Sequence, residues 1–184
     1  MSLTDLDLVI LAKAARNSAA FDALVRRHQA PLRAFLIRLT GNSAGADDIA
    51  QEAFLKAYRG LGAFRGGASF RSWLFAIAIR EAAMERRRAS AMARAEITAA
   101  DLGASPVEEP AAAMSLDLQA ALSSLSREER SAALLCDAAG FSHAEAATAM
   151  AAPLGSVKTY VLRAREKLRA ALGAEAAPAA ADCA

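Results

Sequence analysis

The 184 residues suffice for one medium domain or two small ones, and 55% hydrophobic content, much of it alanine, with five prolines and ten glycines, favours helix. The net charge of +2 and a composition with two cysteines and two histidines exclude a disulfide-rich or histidine-rich scaffold, and Cys136 and Cys183 share no metal-ligand spacing with His28 or His143. The longest strongly apolar run, Trp73 to Ile79, stops at Arg80, too short for a membrane span, and Met1 to Lys13 begins with acids where a secretory signal needs bases; a soluble cytoplasmic protein is expected, with no metal and no cofactor.

In chain order, Phe21, Leu24, Val25, Leu32, Phe35, Leu36 and Leu39 recur at three- and four-residue steps and predict a helix that stops at Thr40-Gly41-Asn42. A second helix is expected from just after Ser43 to about Gly60. A third begins near Ser69, carries the stripe Phe70, Trp73, Leu74, Ile77 and Met84, and closes on Arg86-Arg87-Arg88, where cations suit the negative end of the helix dipole. These three helices predict an N-terminal domain over residues 1–90. Residues 91–115 contain Gly103, Ser105-Pro106 and Glu108-Glu109-Pro110 without a steady period and are read as a flexible acidic linker. Counted from Ala89 to Ser115, an extended chain reaches about 90 Å.

Four further helices are expected in residues 116–172: Leu116 to Leu125, Arg127 to Ala139, Ser142 to Met150 and Ser156 to Leu172. Ser126 with Glu129, and Ser142 with Glu145, match the Ser-x-x-Glu capping box, and Gly140 is placed to end a helix. Residues 173–184 are expected to form a disordered tail. The fold class is therefore all-α, two small helical domains joined by a flexible linker.

The charge is unevenly spread. Residues 1–94 hold 15 Lys/Arg against 8 Asp/Glu, Ala95 to Ser126 hold five acids and no base, and Lys158 to Arg169 hold five bases and one acid. Clustered bases fit polyanion binding, and they equally fit solvated helix faces.

Three constellations carry function. The helices Ser142–Met150 and Ser156–Leu172, joined by Ala151-Ala152-Pro153-Leu154-Gly155, have helix-turn-helix proportions. On the second of them Val157, Val161, Leu168 and Leu172 can face a core, which leaves Lys158, Thr159, Arg163, Arg165, Lys167 and Arg169 polar; Ser156 can cap the start, where free N–H groups suit a phosphate. An ordinary helical hairpin has the same pattern. On the helix through Ala46-Asp47-Asp48-Ile49, residues Ala46, Ile49, Ala50, Ala53 and Ala57 share one face, and Asp48, Gln51, Glu52 and Leu55 the opposite one. That acidic face with one leucine suits either solvent or a partner helix. Finally, Phe64, Phe70, Trp73 and Phe75 interleave with Arg65, Arg71 and Arg80, a composition fit for stacking bases beside phosphates, although Trp73 and Phe70 also sit on the apolar stripe.

In this order the motifs strongly resemble sigma-70-type RNA polymerase sigma factors of the extracytoplasmic-function group. They are Phe21-Asp22-Ala23-Leu24-Val25, Asp47-Asp48-Ile49-Ala50-Gln51-Glu52-Ala53-Phe54 and Phe70-Arg71-Ser72-Trp73-Leu74 before the linker. After it come Leu125-Ser126-Arg127-Glu128-Glu129-Arg130, Phe141-Ser142-His143-Ala144-Glu145-Ala146-Ala147, and Gly155-Ser156-Val157-Lys158-Thr159 followed by Arg163-Ala164-Arg165-Glu166-Lys167-Leu168-Arg169. The resemblance covers about residues 5–172.

It implies that the N-terminal domain is a sigma region 2 bundle whose Asp48, Gln51, Glu52 and Leu55 dock on the clamp helices of the polymerase beta-prime subunit, with the beta subunit a further core contact. It implies that Arg65, Arg71, Trp73, Arg80, Arg86, Arg87 and Arg88 read and open the minus-ten element of promoter DNA. It implies that the C-terminal domain is a region 4 helix-turn-helix reading the minus-thirty-five element through Ser156, Lys158, Thr159, Leu162, Arg163 and Arg165. An anti-sigma factor is an expected partner; catalysis, a small-molecule substrate and membrane insertion are not expected. The sequence departs from the family at Arg80 and Met84, where Asn and Asp are usual, at Ala151-Ala152, which replaces a Gly-Ile pair and predicts looser region 4 packing, and at Tyr160, a position often basic. A stand-alone helix-turn-helix regulator, or a sigma mimic that titrates an anti-sigma factor, is the alternative; the acidic Asp48 face speaks against the first and the basic recognition helix against the second.

Overall fold

The computed structural model describes residues 3–14, 18–99 and 116–173. All regular structure among them is helical: α1 (Asp5–Ala14), α2 (Ser18–Thr40), α3 (Ser43–Gly60), a 3-10 turn (Leu61–Ala63), α4 (Phe70–Ala99), α5 (Leu116–Ser123), α6 (Arg127–Ala133) widening into a π turn (Leu134–Ala138), α7 (His143–Met150) and α8 (Leu154–Leu172).

Helices α1 to α4 form the first module. Leu24, Leu32, Leu36, Leu74 and Phe75 are fully enclosed where α2 meets α4, and Ala46, Ala53 and Ala57 let α3 lie close against them. The α2 stripe ends at Gly41, whose φ of +76° is the left-handed turn that a residue without Cβ takes without strain. Asn42 then caps α3 by accepting from the Gly45 N–H at 3.0 Å. These two residues fix the α2–α3 corner. Helix α1 is an addition to the three helices expected from sequence. Its Leu8, Val9 and Ala12 are buried, whereas Leu6, Ile10 and Leu11 are exposed, so its apolar residues surround the helix and leave no single stripe to read. Asp5 ties it to α2, accepting from Arg27 at 2.5 Å and from His28 Nε2 at 2.7 Å.

Helix α4 runs to Ala99, past Arg86-Arg87-Arg88 and into the stretch expected to be linker. Its residues 89–94 are exposed, and alanine at 89, 91 and 93 holds helix without packing partners. Residues 100–115 and the expected tail from 174 onward lie outside the described residues.

Helices α5 to α8 form the second module around Leu125, Leu135, Val157, Val161 and Ala164. Both expected capping boxes are present: Ser126 accepts from the Glu129 N–H at 3.2 Å and Glu129 from the Ser126 N–H at 2.9 Å, with matching bonds between Ser142 and Glu145 at 3.3 and 2.9 Å. Past the π turn, Gly140 takes φ +69° and turns the chain into α7.

The modules touch. Phe141 of the second is buried, its ring 4.9 Å from that of Phe75 in the first, and the Arg71 guanidinium lies 4.0 Å from the Phe141 ring centre while donating to the Ala139 carbonyl. That carbonyl stands at the end of the helix, where the ladder supplies no further N–H. Arg130 donates across the same seam to the Leu39 carbonyl at 3.3 Å.

Candidate functional site

The acidic face of α3 is arranged as its periodicity predicts. Ala46, Ile49, Ala53 and Ala57 are buried on one side; on the other Asp48 and Gln51 are exposed, Leu55 is 41% exposed, and Glu52 stands 3.7 Å from the Lys56 ammonium. Lys56 is held mainly by Glu81 of α4 at 2.6 Å, so Glu52 keeps carboxylate capacity for a partner. Beside this face an apolar groove of about 510 Å³ runs between α2 and α3, with Phe21, Val25, Phe54, Leu55 and Tyr58 in its walls. Phe54 and Tyr58 are contributors that the sequence reading passed over, although the pairing of Phe21 and Val25 with Phe54 and Tyr58 at i, i+4 was a signal for them. Next to the groove, Arg33 grips Asp47 through two bonds at 2.5 and 3.0 Å, which holds the Asp47 carboxyl below the usual carboxylate range.

The arginines and aromatics around the start of α4 divide into two groups. Arg65, Arg80, Arg86, Arg87 and Arg88 are exposed. Trp73 is half-buried against Phe64 and Phe70, with ring centres 5.0 and 5.9 Å away, and one edge of its indole closes on Gly60. It packs more than it projects. Arg71 is turned away from solvent and engaged by Phe141 and the Ala139 carbonyl.

Helix α8 begins two residues earlier than expected. Pro153, in extended conformation and with no side-chain cap, precedes it, and the Val157 N–H closes the first turn on the Pro153 carbonyl at 3.1 Å. Ser156 therefore lies inside the first turn and does not cap the helix, because a proline with ψ near 141° already sets the entry. The unpaired N–H groups at this end belong to the turn Leu154-Gly155-Ser156. Lys158, Thr159 and Arg163 are exposed, Leu162 is 57% exposed, and Val157 and Val161 are buried beneath them. Thr159 Oγ1 donates back to the Gly155 carbonyl at 3.0 Å. Arg165, also in the expected set, is bonded at 2.6 Å to Asp137 on the π turn, a contact within its own module. Lys167 likewise turns inward, to the buried Glu129 at 2.7 Å.

Between α7 and α8 the chain turns through a closed, hydrogen-bonded motif at the alanine pair. Ala152 N–H bonds to the Ala147 carbonyl at 3.0 Å and Ala151 N–H to the Thr148 carbonyl at 3.2 Å, the two bonds of a Schellman motif. The residue at its left-handed position is Ala151, with φ +50°.

Comparison with known proteins agrees with this two-module arrangement. The Sigma-70 region 2 family model matches residues 24–92, and the Sigma-70 region 4 model matches residues 115–168. The chain is 36% identical to the RNA polymerase sigma-H factor of Pseudomonas aeruginosa over 85% of its own length and 88% of that protein's. It is 38% identical to the ECF RNA polymerase sigma factor SigM of Mycobacterium tuberculosis, over 90% and 83%. Among solved structures, CnrH in complex with the cytosolic domain of CnrY superposes with a TM-score of 0.70 at 26% identity, covering 94% of this chain and 99% of that one. The sigma factor RpoE in complex with the anti-sigma factor NepR from Bartonella quintana gives 0.68 at 30% identity, covering 83% and 96%. Two sigma modules in this order, with relatives matched across both, place the chain in the sigma-70 family of RNA polymerase sigma factors, within its extracytoplasmic-function group.

Proposed function

We propose that this sigma factor grips core RNA polymerase through Asp48, Gln51, Glu52 and Leu55 and reads promoter DNA with its two modules, catalysing nothing itself and acting in the cytoplasm beside the polymerase. The observation that carries the reading is the presence, on one chain, of an exposed acid-and-leucine face on α3 and an exposed cationic face on α8. The beta-prime clamp helices are the partner of the first, the beta subunit a second core contact, and the minus-thirty-five major groove the partner of the second, through Lys158, Thr159, Leu162 and Arg163. Ser156, in the first turn, contributes by presenting backbone N–H to a phosphate. Arg65, Arg80 and Arg86 to Arg88 hold the minus-ten strand, with Trp73 as a wall for an unstacked base; Arg71 joins them only when it leaves Phe141. Unpairing one base costs a few kcal/mol, which capture of the single strand offsets. An anti-sigma factor is the controlling partner, as the similarly folded sigma factor RpoE of Bartonella quintana is held in a complex with the anti-sigma factor NepR. No helix among the described residues is long and apolar enough to cross a membrane.

The division of labour is tested by two variants in run-off transcription and core-binding assays. Lys158→Ala with Arg163→Ala removes two DNA contacts worth about 1–3 kcal/mol each, so promoter affinity falls by about 30-fold or more while core binding stays. Asp48→Arg abolishes core binding and leaves the minus-thirty-five contacts intact. Run-off transcription falls in both; loss of core binding in both, or of minus-thirty-five duplex binding in both, overturns the assignment.

A further inference from the structure

At the seam between the modules lies a second cavity, of about 400 Å³, roofed by Leu39 and Leu125 and lined by Arg86 of α4 with Arg127 and Arg130 of α6. Among the described residues its lining holds one acid, Glu85, which stands 3.5 Å from Arg88 on the same helix. Three guanidiniums from two modules thus face a half-enclosed space whose described lining holds a single carboxylate, with Glu128 acting on Arg127 alone. Their mutual effect is plain: burial first, and then the charge of Arg86, makes both Arg127 and Arg130 harder to keep protonated than a free arginine. Arg130 is also incompletely bonded. One of its terminal nitrogens reaches the Leu39 carbonyl at 3.3 Å, yet its Nε–H is enclosed and has no acceptor. A guanidinium presents five donors in a planar fork that fits phosphate oxygens, and a buried donor left empty is costly.

Like charges brought together across an interface weaken that interface unless an anion sits between them. We propose that this seam is a binding site for a small phosphate-bearing anion, of the size of pyrophosphate or a nucleoside diphosphate, bridging Arg86 to Arg127 and Arg130 and thereby fastening the two modules together. The cavity volume lies in the range of small-ligand pockets, and its apolar walls strengthen charge pairing inside it. The ligand binds the packed form and has no such triad in the separated form, so it shifts the population toward packing by its differential affinity. The triad is drawn from residues outside the exposed face of α8, and Arg127 and Arg130 have no part in the promoter contacts proposed above.

The test is calorimetric titration of the full chain with pyrophosphate, against sodium chloride at matched ionic strength, paired with small-angle scattering. Saturable binding at one site per chain is expected, together with a smaller radius of gyration when pyrophosphate is present. Arg127→Gln and Arg86→Gln, each checked for an unchanged helical spectrum, should weaken binding about ten- to a hundredfold, as loss of one charged hydrogen bond predicts. Arg127→Lys, which keeps the charge, should recover part of it. Absence of saturable heat at millimolar pyrophosphate overturns the proposal. So does binding that survives both glutamine variants, or capture of a short DNA duplex by the same arginines with no response to pyrophosphate.

Discussion

Replacing Ala151 with glycine should stabilise the second module. The Schellman turn after α7 holds Ala151 at φ +50°, where the Cβ of an L-residue crowds the following carbonyl at a cost of about 1–2 kcal/mol. Glycine removes that cost, and against it stands the extra chain entropy of a glycine in the unfolded state, about 0.5–1 kcal/mol. Ala151 is exposed, so loss of its methyl sacrifices little burial. The balance is a gain of about 0.5–1 kcal/mol, small beside a core deletion yet measurable by urea unfolding followed at 222 nm. Thermal unfolding should move upward by about 2–8 °C if the second module melts as its own unit. The same substitution leaves α8 seated where it is, so minus-thirty-five affinity should hold or rise. A loss of stability in Ala151→Gly would mean that the turn does not adopt the left-handed geometry on which the estimate rests.

Three other outcomes follow from the ion pairs and the seam. The Glu129 carboxyl is held below its ordinary range by Lys167 and by the Ser126 N–H, and a depressed carboxylate contributes stability above its unfolded pKa that disappears as pH falls through the folded one; acid unfolding followed between about pH 5 and pH 3 should therefore be shallower in Glu129→Gln. Arg165→Ala should leave affinity for a minus-thirty-five duplex, read by fluorescence anisotropy, within about twofold, because its guanidinium is committed to Asp137, whereas Lys158→Ala weakens it by about 1–3 kcal/mol; equal losses would return Arg165 to the DNA-contacting set. Arg71→Ala removes a ring contact and a charged hydrogen bond together worth about 2–4 kcal/mol, and small-angle scattering should then report a more extended particle; an unchanged radius of gyration would show that the Phe75–Phe141 contact holds the seam alone.

Much of this architecture was legible in the residue order because the signals are local. Gly41-Asn42 marks a stop and a start within two residues, both capping boxes carry serine and glutamate at the required spacing, and Gly140 stands where the backbone must turn left-handed. The face of α3 follows from period alone. What escaped was decided at a distance. Helix α1 has apolar residues on all sides and gains its place through Asp5, 22 and 23 residues from the side chains that hold it. Arg71 has a composition suited to nucleic acid, and only the packing of Phe141 shows that it is occupied. Arg165 and Lys158 look alike in a row of bases; Asp137, 28 positions from Arg165, separates them. Ser156 lost its capping role because Pro153 had already set the entry to α8.

The unbroken run of α4 to Ala99 changes how the protein measures promoters. At 1.5 Å per residue, the turns from Ala89 to Ala99 form an outrigger of about 15 Å with a fixed heading. Covalent geometry then caps the stretch between Ala99 and Leu116 at about 55–60 Å, so the reach from Ala89 is about 70–75 Å, short of the 90 Å that a wholly extensible tether would offer. Promoter elements one and a half to two turns apart span about 50–70 Å, so rod and string together are nearly used up by the longest of these spacings. A protein strung this way works as a caliper: spacer DNA lengthened by another full turn lies beyond its jaws, and spacing joins sequence as a criterion of promoter choice.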